Sequence, residues 1–482
     1  MRITVPNPLG PPITFDTDSL RQTYSRIPSL VPTTTAGGRS IARRPHFRLL
    51  VFIFGLVLLI TFHPRPPFPP NYSSEWRTES RLPQIKGDIG PGEGKNGRYV
   101  KFDVPRGTGF NHQLQRVLLQ HHLAVLGNRS LAFEPYVEDD TYLPFKVSRW
   151  PWRSARIPLS AYVATVISGF ESFYNTPRAV PASYYRNVCP SYKEQTHTIR
   201  TDLHPDGDMA LVADGQARIH QIQVLLAGSD QSCVRIIGEP FDDEFFDSTA
   251  SLDLYESFVK SPVMKHFSFA PTVLSILNKA LPYLAPESQP YNLESISHAN
   301  GDPVRTGMWK QILALHLRRG KNWEMVCDEK GARAAPFVSF NKLPLLPGNE
   351  NVPPPPTMVE ATRMGLYRAK CLPQTLDIIA RARRMRKNHP LLRSVYILTD
   401  AEEDDWVKEI RMWLQSEGWD HVWIGKEDVY PEWQDKEVGV AVDMEVGRRA
   451  GVFVGNGFST TSSNIVLLRS RDGIHPDLTQ FW

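Results

Sequence analysis

ILALHLRRGK, residues 312–321, is the stretch whose reading decides the fold. It opens as an apolar run, then turns at once to His316, the adjacent Arg318 and Arg319, and a glycine. A continuous apolar run of this length marks a central strand of a parallel sheet, buried on both faces. In open α/β sheets ligands bind just beyond the carboxyl ends of the strands. Arginine at that place offers a planar fork of donors suited to phosphate or carboxylate. The stretch therefore puts Arg318 or Arg319 at an anion site on top of a sheet.

Working outward, residues 394–398, 421–424 and 451–454 read as further strands, and 359–387, 403–415 and 440–449 as helical. Trp406, Val407, Ile410, Trp413 and Leu414 form one apolar stripe of the second of these helices. The RARRMRK run at 381–387 reads as a solvated helix face. This alternation predicts a parallel sheet with helices on both faces. After the last strand comes GNGFSTTSSN, 455–464, expected to be a loop leading into a helix through Leu468. Its glycines allow close backbone approach, and Ser459, Thr460, Thr461, Ser462 and Ser463 bring hydroxyls to the start of a helix. Such a terminus is an anion site, although plain N-capping uses the same residues. With Arg318 it would clamp a diphosphate without a metal.

The folded part of the first half begins near Gly97. A strand at 99–104, the PRGTGF loop, a helix at 111–126 and a strand at 131–133 form a β-loop-α-β unit of Rossmann type. Gly107 and Gly109 lack a third glycine, since His112 stands there, so a simple tight turn competes with a dinucleotide site. Asp206 and Asp208 match a metal-binding Asp-x-Asp, but a turn explains them better. EPFDDEFFD at 239–247 reads as a solvated loop rather than a site for a basic partner. Trp150 and Trp152 read as packing or acceptor surface.

The 482 residues allow two or three domains, and a formal charge of +4 demands no polyanionic partner. No zinc spacing or RNA-binding signature occurs, so nucleic acid is not expected. Residues 1–46, rich in Pro, Ser, Thr and Arg, read as a disordered cytoplasmic tail. LLVFIFGLVLLITF at 49–62 is uncharged, though shorter than the ~20 residues of a usual span. Arg39, Arg43, Arg44 and Arg48 precede it and only Arg65 follows closely, which keeps the N-terminus cytoplasmic. The reading is a type II signal anchor over 47–63, against a buried core helix, then a stem over 64–96. The remainder would be luminal in the Golgi or endoplasmic reticulum. Asn71 and Asn128 head N-glycosylation acceptor sequences on that side. Cys189, Cys233, Cys327 and Cys371 also lie there, and an oxidising lumen favours two disulfides. Three connectivities are possible. Proximity in sequence favours Cys189–Cys233 and Cys327–Cys371.

Three blocks now stand in order over most of residues 97–470: RGTGFNHQLQ with its helix and GNRSLAFEPYV, then LALHLRRGK, then AVDMEVGRRAGVFVGNGFSTTSSNIV. Together they resemble the GDP-fucose protein O-fucosyltransferases. The resemblance implies a GT-B fold, two Rossmann-like domains facing a cleft, here 97–300 on the acceptor side and 301–482 binding the GDP-sugar. It implies inverting, metal-independent transfer of fucose from GDP-fucose to a protein Ser or Thr. A glycan acceptor, or a non-catalytic luminal protein that binds nucleotide sugar, is the alternative. By the same resemblance Thr108, Gly109, Phe110 and Asn111 contact the donor. His316, Leu317 and Arg318 match the family's His-Leu-Arg, whose arginine holds the β-phosphate and helps it depart, so Arg318 and Asn111 are the catalytic candidates. Asp443 would read the guanine edge, and Thr460 and Thr461 would hold the phosphates and base. The chain departs from the family at three places. Thr461 replaces an aromatic residue. Lys321 stands where relatives carry aspartate, with Glu324 or Asp328 as candidate replacements. Thr108 occupies the place of one branch's general base, which leaves no assignable base.

Overall fold

The computed structural model describes residues 2–5, 13–16, 49, 51–55, 69–86, 94–103, 107–141, 143–146, 152–164, 178–189, 196–201, 214–293, 307–347, 352–402 and 404–482. It divides into two compact units, Met1–Pro66 and Pro67–Trp482. In the first, within the tail expected to be disordered, Arg2–Val5 pairs antiparallel with Ile13–Asp16. Of the expected anchor over 47–63, only 49 and 51–55 are described, as helix with Leu49, Val51, Phe52 and Phe54 exposed. The rest of that segment lies outside the described residues, among which no helix is long and apolar enough to cross a membrane.

In the second unit the stem expected over 64–96 is partly folded. Helix α1 (Ser73–Glu79) follows the buried Tyr72, and Leu82 and Gln84 are buried after it. Tyr72 and Leu82 join the main core, which an extended spacer could not do. The chain then builds β1 (Tyr99–Phe102), α2 (Phe110–Leu126), β2 (Ser130–Phe133), β3 (Ala179–Pro181), β4 (Thr196–Arg200), α3 (Gly215–Gly228), β5 (Cys233–Ile237), α4 (Asp243–Asp247) and α5 (Pro271–Leu284). The five strands form a parallel sheet in the order β3-β2-β1-β5-β4.

The second half follows with β6 (Ile312–Leu317), α6 (Trp323–Ala332), α7 (Glu360–Cys371), α8 (Thr375–Asn388), β7 (Ser394–Thr399), α9 (Asp404–Ser416), β8 (His421–Ile424), α10 (Gly439–Arg449), β9 (Val452–Gly455), α11 (Thr460–Arg471) and β10 (Thr479–Phe481). Its sheet is also parallel, in the order β8-β7-β6-β9-β10. All six residues of β6 are buried at its centre, as a strand flanked on both sides and covered on both faces must be. The fold is thus α/β with two parallel sheets, the GT-B-like pattern.

Three expectations need correction. The helical region at 359–387 is two helices, α7 and α8. Pro373 cannot donate and pushes Leu372 out of helical geometry, and Gln374 with Asp377 starts the second helix with a reciprocal cap. The basic end of α8 is solvated as expected at Arg383, Arg384 and Lys387, but not at Arg381. Arg381 is buried and donates to the Phe481 carbonyl at 2.6 Å, while Arg383 forks onto Glu417. The hydroxyl-rich run does not stay a loop to 464, because Ser459 caps a helix that starts at Thr460. Disulfides join Cys189 to Cys233 and Cys327 to Cys371, with Cα–Cα distances of 5.7 and 5.8 Å. Trp152 stacks on Phe145 at 4.7 Å, whereas Trp150, Asp206 and Asp208 lie outside the described residues.

Candidate active site

The order of the second sheet reverses beside β6, between β6 and β9, and such a switch point leaves a crevice at the strand ends. Arg318 follows one of these strands and the 456–459 turn follows the other. Above them lies a cleft of about 830 Å³ with walls from both halves. Thr108, Gly109, Phe110 and Asn111 line it from the first half, and Arg318, Thr460 and Thr461 from the second.

Arg318 is the arginine of the pair that faces the cleft. Its Nε lies 2.9 Å from Asp400 Oδ2, its guanidinium sits 4.8 Å over the Trp323 ring, and its Nη edge has no partner among the described residues. Arg319 points away, over Trp406 at 4.0 Å, and donates to the Pro373 carbonyl at 2.7 Å. Trp323 is itself held, because its indole donates to the Cys371 carbonyl at 3.1 Å, next to the disulfide. The carboxylate sought near Lys321 therefore comes from the end of β7. Asp400 is the partner of Arg318, whereas Glu324 and Asp328 both pair with Arg368, at 3.1 and 2.7 Å. Asp400 also accepts from the Arg319 backbone N–H at 2.7 Å.

Gly320 is what lets that carboxylate in. A Cβ there would sit 2.3 Å from Asp400 Oδ2, the movable end of a side chain. Gly320→Ala should therefore keep the fold and swing Asp400 off Arg318. A displacement of ~1 Å costs on the order of 10²-fold in rate. The expected result is a loss of that order in kcat with an unchanged melting temperature, read by steady-state kinetics beside a thermal melt.

Two helix N-termini open into the same cleft. Gly109 at the start of α2 gives no side-chain cap, and Ser459 at the start of α11 caps only Thr461 N–H. Free N–H groups and the helix dipole make each terminus attractive to an anion. The Thr108 hydroxyl is buried in the wall without a partner among the described residues. The two termini are tied to each other. Asn111 Nδ2 donates to Thr461 Oγ1 at 2.8 Å, Asn464 donates back to Asn111 Oδ1 at 2.9 Å, and Gln115 donates to Ser463 and Ser339. Asn111 and Thr461 thus form the floor of the cleft.

Three expected donor contacts are not in the wall. Leu317 is buried in an apolar core. His316 is buried beneath the site, its Nδ1 2.8 Å from Ser462 Oγ, which also accepts from Asn456 N–H at 2.8 Å. Burial, helped by the charge of Arg318, pushes its imidazole down to about 4, so it braces the turn as a neutral ring. Asp443 is also buried, and each of its oxygens accepts from a tyrosine, Tyr396 and Tyr430, at 2.7 Å. Burial raises its carboxyl to about 7. With both oxygens engaged and no place in the cleft wall, Asp443 does not present itself to a base edge here.

Other residues in the wall were missed by sequence reasoning. The acidic run at 239–247 is no solvated loop. Phe245 and Phe246 are buried, Asp242 caps α4, and Asp243 and Asp247 reach the cleft. Asp243 lies 3.0 Å from His112 Nε2 and 2.9 Å from Arg116, and these partners, His112 first, hold it down at about 2. The paired phenylalanines inside an acidic run were the available signal. Glu437 is buried in the opposite wall, where it accepts from Ser154 N–H at 2.5 Å and Tyr72 Oη at 3.1 Å, and burial raises its carboxyl.

The family model described as GDP-fucose protein O-fucosyltransferase matches residues 233–471. No curated protein matches the chain. Among solved structures, POFUT1 in its apo form is 15% identical at a TM-score of 0.48, with 82% of this chain and 99% of that chain covered. POFUT1 in complex with GDP-fucose is 14% identical at a TM-score of 0.47, with 79% and 96% covered. Residues 233–471 thus carry a GDP-fucose protein O-fucosyltransferase domain, and the chain is a fucosyltransferase-like glycosyltransferase.

Proposed function

We propose that the chain transfers fucose from GDP-fucose to a Ser or Thr hydroxyl of a protein, with inversion and without a metal ion. The observation that carries this reading is the convergence on one cleft of the unpaired Nη edge of Arg318 and two helix N-termini. Those groups suit a diphosphate. In the transfer, the acceptor oxygen bonds to C1 of fucose as the bond from C1 to the β-phosphate oxygen breaks, and its electron pair stays on the leaving diphosphate. The transition state is oxocarbenium-like. The acceptor proton leaves late, to water or to a carboxylate of the cleft, so stabilising the leaving group dominates the barrier.

Isothermal titration with GDP and GDP-fucose, followed by an acceptor screen, tests the reading. Binding with no turnover on any protein acceptor would favour a glycan acceptor or a non-catalytic binder. Absence of binding would overturn it outright. In this reading Arg318 and the helix termini supply the positive charge that a cation would otherwise give. Transfer should therefore run at an unchanged rate in excess EDTA, and a rate restored only by added Mg²⁺ or Mn²⁺ would refute metal independence.

The proposal includes a type II signal anchor within 47–63 and a catalytic part in the lumen of the Golgi or endoplasmic reticulum. Two disulfides suit that oxidising compartment. Asn71 and Asn128 are both exposed, as N-glycan carriers must be. Peptide N-glycosidase treatment of secretory-pathway protein should shift its mass by two glycans, and Asn71→Gln with Asn128→Gln should remove the shift.

A further inference from the structure

A second cavity lies outside the cleft. It measures about 560 Å³ and opens at the carboxyl ends of β1, β2 and β3. That is the edge of a parallel sheet where ligands bind, and the volume falls within the ~300–1,000 Å³ of small-molecule sites. One wall comes from the folded stem, through Trp76 and Glu79 of α1.

Most charges of this cavity are matched within it, four cations facing three carboxylates. Lys101 Nζ lies 2.8 Å from Glu134 Oε1, and Arg186 Nη1 lies 3.6 Å from the same oxygen. Arg235 Nη2 lies 3.1 Å from Asp103. Arg156 donates to the Thr141 carbonyl at 2.7 Å, and Glu79, opposite in sign, accepts from Ser160 N–H at 3.0 Å. A phosphate or sulfate site would aim several unpaired donors at one point. Here Lys101 and Arg186 share Glu134, Arg235 pairs with Asp103 and Arg156 is held by a carbonyl, so the wall offers adjacent donors and acceptors with only a small net positive charge. Vicinal hydroxyls, each both donor and acceptor, match that surface. Between the polar groups the lining is apolar, from Phe102, Phe133, Pro135 and Pro181. At the rim Trp76 is left 40% exposed, a broad ring for the C–H face of a pyranose.

One side chain of the cavity is bonded to the backbone of the cleft. Gln113 lines the cavity, and its Nε2 donates to the Val137 carbonyl at 2.9 Å and to the carbonyl of Thr108, a cleft residue, at 2.8 Å. We infer that the cavity beside α1 takes a neutral oligosaccharide carried by the acceptor. That the sugar belongs to the acceptor rests on the transfer reading above; that the cavity binds sugar does not.

The test uses the full chain in detergent and saturation-transfer NMR with neutral trisaccharides of glucose, galactose, mannose and N-acetylglucosamine, plus a sulfated trisaccharide as the anionic arm. At least one neutral trisaccharide should bind and stay bound in saturating GDP. Trp76→Ala should weaken it about tenfold or more. Ser183→Trp, which fills the cavity mouth from an exposed position, should abolish it. Both variants should keep the wild-type melting temperature and GDP affinity. The inference is overturned if no neutral trisaccharide binds, if GDP displaces it, if binding survives both substitutions, or if the sulfated sugar binds more tightly. Sugar binding in a protein that fails to bind GDP-fucose would overturn the acceptor clause alone.

Discussion

Arg318→Ala should lower fucosyl transfer by about 10²–10³-fold, the cost of removing one preorganised charge from a developing oxyanion. The fold should not change, because the side chain is about a third exposed and its protein contacts are Asp400 and the Trp323 ring. GDP should bind more weakly, by less than the loss in rate, since the β-phosphate gains charge as the sugar departs. Arg318→Lys is the sharper probe. Arginine can give Nε to Asp400 and keep its Nη edge for the diphosphate, whereas a lysine ammonium is a single point donor. It should recover binding more than rate. Single-turnover kinetics beside a GDP titration separate the two, and near-normal transfer by Arg318→Ala would remove the arginine from its assigned role.

Arg469→Met should be the most destabilising of these substitutions, by roughly 3–5 kcal/mol. Arg469 sits on α11 at 1% exposure. Its Nη1 donates to the carbonyls of Gly447, Arg448 and Ala450 at 3.0, 3.2 and 2.8 Å, which closes the carboxyl end of α10. Its Nε and Nη2 reach Thr479 Oγ1 and the Leu478 carbonyl, 2.9 and 2.8 Å away, at the start of β10. Methionine keeps much of the volume and satisfies none of these acceptors, so buried carbonyls lose their donor without gaining water. Urea unfolding followed by tryptophan fluorescence measures the effect. A shift below about 1 kcal/mol would mean that other donors replace the arginine.

What the sequence reveals depends on how local the physics is. β6 is legible to the residue because a continuous apolar run ending in charge has few other uses. The helix starts at Phe110 and Thr460 are legible within a few residues because glycine and hydroxyl caps act locally. Asp400 as the partner of Arg318 is not, since strand pairing of β6 with β7 creates that contact across 82 residues of chain. The surroundings of Asp443 are equally illegible. The resemblance made it a base-reading carboxylate, but Tyr396 and Tyr430, from β7 and the segment before α10, engage both its oxygens. The folded stem was hidden by composition, because a proline-rich segment gave no periodic pattern while scattered residues, Tyr72 and Leu82 in the core and Glu79 on Ser160, fasten it.

The floor of the cleft has a consequence for protein engineering. Asn111 and Gln115 of one half meet Thr461, Ser463 and Asn464 of the other through short polar bonds that allow little substitution. Chimeras that graft the acceptor half of one transferase onto the donor half of another would separate these partners and strand buried amides. Acceptor preference is therefore better recombined by exchanging rim segments than by exchanging halves. A whole-half graft should succeed only when these five bonded residues travel together as one cassette.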